Sequence, residues 1–97
     1  MYMKATLTYH LPLTVFREGK IFIAYSPLLD LSSCGKTEKQ AKRMFTQAVE
    51  SFFETLDEMG TREEVLQDLG WSLTRGKLHP PKLVEQSVLS VMVPAVV

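Results

Sequence analysis

The chain has 97 residues, 45% of them hydrophobic and 23% charged, with a formal net charge of zero. That is one domain able to bury about 60–65% of its unfolded surface, with no bulk electrostatic pull toward nucleic acid or acidic lipid. A single cysteine excludes an intramolecular disulfide, and MYMKATLTYH has no apolar run of signal-peptide length, so the chain reads as a cytoplasmic domain over residues 1–97. No apolar stretch is long enough for a membrane span, the longest being broken by Ser90 and Pro94.

From Met3 to Tyr9, Met3, Ala5, Leu7 and Tyr9 alternate with polar neighbours, the period of a half-buried strand. Pro12 interrupts, LTVF resumes as a second strand, and REGK supplies a turn at Gly19. Ile21 to Tyr25 is apolar at every position, which predicts a central strand covered on both faces, or on one face by the helix and on the other by a second subunit.

A helix is predicted from Thr37 to Gly60. Thr37 and Gln40 match a capping box, and Ala41, Met44, Phe45, Ala48, Val49, Phe52, Phe53 and Leu56 form one apolar stripe. Lys42, Arg43, Gln47, Glu50, Glu54 and Glu58 lie off the stripe, and Gly60 supplies a left-handed stop. Thr61 and Glu64 predict a second capping box on a short helix that buries Val65, Leu66 and Leu69 and ends at Gly70, with Trp71 over the junction.

Residues 72–97 form an extension to the core over 3–71. SLTRGKLHPPK is rich in turn residues, and the valine-rich LVEQSVLSVMVPAVV predicts a further strand near Val84 to Val93. Leu89, Val91 and Val93 share one face of it, Val88 and Met92 the other. The fold expected is α+β: an antiparallel sheet of three to four strands in the order β-β-β-α-(α)-β, with one main amphipathic helix on one face.

The stretch SPLLDLSSCGKTEKQA, Ser26 to Ala41, admits three readings: a catalytic loop, a phosphate cradle, or a structural turn. A P-loop needs a first glycine five positions before Gly35, where Asp30 stands. Cys34 precedes a helix N-terminus, but no histidine is near in sequence to act as base. His10 and His79 are separated, and no His or Cys pair has zinc spacing, so no metal or cofactor is expected. No carboxylate cluster of the kind a Mg²⁺ nuclease needs falls within the predicted strands, so the chain reads as no enzyme. Turn chemistry accounts for the residues: Pro27 ends the strand, Asp30 or Ser32 bonds local amides, Gly35 permits a positive φ, and Thr37 with Gln40 caps the helix.

Tyr25, Pro27, Leu29, Asp30, Gly35, Thr37, Ala41 and the helical core from Ala48 to Phe53 stand in order and spacing that resemble the HicB-like antitoxin family. Gln40 replaces that family's usual glutamate. The resemblance covers about half the chain, Leu11 to Gly60, and implies a partial RNase H-like fold. It implies a non-catalytic protein that sequesters a small basic mRNA-interferase toxin. Members of that family commonly carry a C-terminal DNA-binding segment; the strand-like tail here lacks the helices such a segment needs, which argues against direct operator binding. The alternative is a stand-alone oligomeric scaffold or small-ligand binder of the same fold.

One helix covers only one face of a sheet, so IFIAY and the tail leave apolar surface over. That predicts a homo-oligomer, most simply a dimer, with Phe22, Ala24, Val88, Leu89, Val91, Met92 and Val93 at the interface.

Overall fold

A computed structural model describes residues 7–96. The chain runs β1 (Thr14–Glu18), β2 (Ile21–Ser26), β3 (Leu31–Gly35), α1 (Glu38–Met59), α2 (Arg62–Asp68), β4 (Ser72–Thr74) and β5 (Lys77–His79). The fold is α+β. Strands β1-β2-β3 form an antiparallel meander with β2 in the centre, and β4 and β5 form a separate hairpin.

Each connection is as tight as its residues allow. Glu18 pairs with Ile21 across Gly19-Lys20, where Gly19 at φ 62 gives the positive first position of a type II′ turn. Arg75 and Gly76, at φ 51 and 75, make the type I′ turn that joins β4 to β5.

Register decides which side chains meet α1. Val15 pairs with Ala24, which pairs with Ser33, and this row lies under the helix: Ala24, Ala41 and Phe45 are buried together, with Val15 and Phe22 packed against them. The next row, Phe16, Ile23 and Cys34, therefore points to the other side. A second cluster joins Leu29, Leu56, Leu66 and Trp71 at the far end of α1. There Tyr9 stacks on Phe53 and meets Trp71 edge-on.

One expected strand does not form, one lies largely outside the described residues, and three observed strands, β3, β4 and β5, fall where the sequence reads as turns. The strand expected over Met3–Tyr9 lies partly outside the described residues, and Leu7 to His10 are irregular. The third strand is Leu31–Gly35, inside the stretch read as a turn. Residues 80–96 form no strand: the valines expected to pair have no neighbouring backbone, and their chain runs extended and exposed. Met44, placed on the apolar stripe of the helix, is exposed.

Candidate functional site

The stretch from Ser26 to Ala41 builds a hairpin loop, an edge strand and a helix cap. The amide of Asp30 donates to the carbonyl of Pro27 at 3.3 Å, closing a four-residue loop between β2 and β3. Asp30 itself takes the left-handed conformation at φ 49, and its carboxylate accepts from the Tyr25 hydroxyl at 3.0 Å. That bond, with some desolvation and the nearby negative charge, raises the Tyr25 pKa above its ordinary 10.0. Between Pro27 and Asp30 the loop turns Leu28 and Leu29 inward.

Gly35 is needed for space rather than for a positive φ. A Cβ there would stand 2.6 Å from the Ala41 amide nitrogen and 2.9 Å from the Gln40 carbonyl carbon. The first turn of α1 thus rests directly on the end of β3. Thr37 caps the helix by accepting from the Gln40 amide at 3.0 Å, as expected. The Gln40 side chain reaches back one residue further than a capping box requires, accepting from the Lys36 amide at 2.6 Å. The second expected box does not form. Thr61 precedes α2 without a side-chain bond, and its Oγ1 and the buried Ser26 Oγ have no partner among the described residues.

Pro27 and Asp30 thus close the loop at one end of β3, and Gly35, Thr37 and Gln40 hold the helix start at its other end. Cys34 is exposed on the far face of the sheet. His10 and His79 both line a groove of about 910 Å³ between the Leu7–His10 segment, the α1–α2 junction and the β4–β5 hairpin. Across it Arg62 clasps Asp57 through two 2.7 Å bonds and lies 4.8 Å over the Phe53 ring. Among the described residues no three or more His, Cys, Asp or Glu side chains are grouped so as to hold a metal ion, and no helix is long and apolar enough to cross a membrane.

Of the proposed interface residues, the structure moves Phe22 and Ala24 under α1, where Ala24 is wholly buried and unavailable to a partner. A strand apolar at every position does not show which of its faces the helix takes, and α1 takes the face that carries Phe22 and Ala24. Val88, Leu89, Val91, Met92 and Val93 are exposed, Val88 and Met92 at 98% and 99%.

Charge is divided along the chain in a way its zero total conceals. Between Gln47 and Gly70 seven carboxylates face one arginine: Glu50, Glu54, Asp57 and Glu58 on α1, and Glu63, Glu64 and Asp68 on α2, all exposed. Lys36, Lys39, Lys42 and Arg43 gather at the opposite end of α1, where Lys42 pairs with Glu38 at 3.3 Å. The acidic end was not singled out from the sequence, although counting charges by segment finds it. After Trp71 the described residues contain a hairpin and an extended segment but no helix.

No protein-family model, curated protein or solved structure matches this chain.

Proposed function

We propose that the protein is a non-catalytic binding module of the HicB-like antitoxin type, which sequesters a small basic mRNA-interferase toxin. The observation that carries this reading is the acidic end of the α1–α2 pair. Seven exposed carboxylates with one arginine, itself tied to Asp57, give this part of the chain a charge opposite to that of a small protein whose RNA-binding face is basic. The helix-capping loop from Tyr25 to Thr37, which carries the resemblance, holds the helix that displays this surface. Its residues form scaffold bonds, consistent with a role in shape rather than in catalysis.

The test pairs this chain with a small basic protein encoded beside its gene. RNA cleavage by that protein should fall in proportion to added chain, and Glu54→Lys with Glu58→Lys should weaken the inhibition at least tenfold, an effect that shrinks as salt rises. The chain alone, with single- or double-stranded RNA and Mg²⁺ or Mn²⁺, should leave the RNA intact. Cleavage that co-purifies with the chain and vanishes in Asp30→Ala would overturn the reading, as would inhibition indifferent to the charge reversal.

The groove at His10 and His79 favours a second reading, a stand-alone small-ligand binder of the same fold. The absence of any adjacent gene for a small basic protein would favour it over the first.

A further inference from the structure

Two apolar surfaces of this chain lack a cover. One is the sheet face turned away from α1, where the cross-strand row Phe16, Ile23 and Cys34 lies beside Ile21, with Phe16 55% and Ile21 48% exposed. The other is the segment from Leu83 to Val96, which carries valine, leucine and methionine with few charges and forms no regular structure. In strand-like spacing its Leu89, Val91 and Val93 all fall on one side.

The structure also shows where the two begin to meet. Gln86 Nε2 donates to Thr14 Oγ1 at 3.3 Å, and Thr14, paired with Tyr25, stands on the uncovered face of β1. Beyond Gln86 the segment does not fold back on its own sheet. The radius of gyration is 16.8 Å, against about 12 Å for a compact chain of this length, and the longest dimension is 66 Å. From Gln86 to Val96 an extended chain reaches about 33 Å, whereas five- to six-residue strands measure about 20 Å, so the segment overruns its own sheet.

We infer that the protein is a two-fold dimer in which the Leu83–Val96 segment of each copy lies across the uncovered Phe16–Ile23 sheet face of the other. The occupant is a second copy because one chain supplies both surfaces, the Gln86–Thr14 bond seats the segment at the margin of that face, and the segment then projects away from the body that bears it. A two-fold axis uses both segments and both faces at once and leaves neither apolar surface in water. This inference concerns the chain with itself and does not depend on the acidic surface or on a toxin.

Light scattering of the full chain at about 100 µM, two orders of magnitude above a micromolar Kd, should give twice the monomer mass. Phe16→Asp alone, and Leu89→Asp with Val91→Asp alone, should each give monomers with unchanged helical circular dichroism, because all three side chains are exposed in a single copy. Mixed together, the two variants should recover a 1:1 heterodimer, since one retains an intact segment and the other an intact face. A monomeric wild-type chain would overturn the inference, leaving the segment to another protein. So would a dimeric Phe16→Asp variant, which would mean that segments pair with each other, or a mixture that stays monomeric. Glu54→Lys with Glu58→Lys should leave the dimer intact, so loss of toxin binding and loss of dimerisation are read separately.

Discussion

The indole Nε1 of Trp71 donates to the backbone carbonyl of Leu28 at 2.8 Å in a buried setting, bridging 43 residues between the β2–β3 loop and the end of α2. That bond ties the loop to the helical side of the molecule. Trp71→Phe keeps most of the ring but strands the carbonyl, and should cost about 1–3 kcal/mol. Trp71→Ala adds a cavity beside Leu29, Leu56 and Leu66 and should cost about 3–5 kcal/mol. Urea unfolding followed by circular dichroism checks both, and equal stability of Trp71→Phe and wild type would remove the bond from the account.

Gly35→Ala should be among the most damaging small substitutions in the chain. The added methyl meets backbone at 2.6 and 2.9 Å, so the first turn of α1 must lift from β3, at a cost of about 1–3 kcal/mol or more. Thermal unfolding measures this. A neutral result would mean that the helix start has room to move.

At the helix start, Thr37→Ala should destabilise by about 1 kcal/mol. Gln40→Ala frees the Lys36 amide to exposed surroundings and should cost less, while Cys34→Ser, exposed on the opposite face, should change stability little. If Cys34→Ser were the most harmful of the three, the scaffold reading of this stretch would fail.

The Tyr25–Asp30 bond sets a direction for pH dependence. Its folded-state pKa is raised, so its contribution to stability is complete below pH 10.0 and is lost as pH climbs through the raised value. Denaturant titrations of wild type and Tyr25→Phe should therefore differ at neutral pH and converge in strong alkali. A gap that widened above pH 10.0 would reverse the assignment.

Ser26 is fully buried with an unpartnered hydroxyl, and Ser26→Ala removes that hydroxyl at little cost in volume. The variant should be as stable as wild type or more so, by up to about 1 kcal/mol. A loss above that in chemical denaturation would show that the hydroxyl does bond in solution.

What could be read ahead of the structure was whatever the local chain decides. The α1 helix, its Thr37 cap and its Gly60 stop follow from spacing and end chemistry alone, and so do the Gly19 turn and the central position of Ile21 to Tyr25. Strand β3 stayed hidden because LSSCG has weak strand propensity, follows Asp30 and ends in a glycine; the register with β2 makes it a strand, and that register is a tertiary fact. The tail erred the other way. Valine predicts extended backbone, but a strand needs a neighbour, which a single copy does not supply. Phe22 and Ala24 were assigned outward because a strand apolar throughout does not reveal which of its faces the helix takes.

Strands β1, β2 and β3 pair strictly with their neighbours in chain order, and α1 follows at once to cover them. Each of these steps closes a short loop, so the sheet and its helix can form ahead of the 43-residue closure between Trp71 and Leu28. The Leu28 carbonyl then waits for its donor, and the last folding event is the docking of a finished α2 and its tryptophan onto a loop already in place. In refolding, the helical circular dichroism of α1 should thus appear before the change in Trp71 fluorescence that reports the latch.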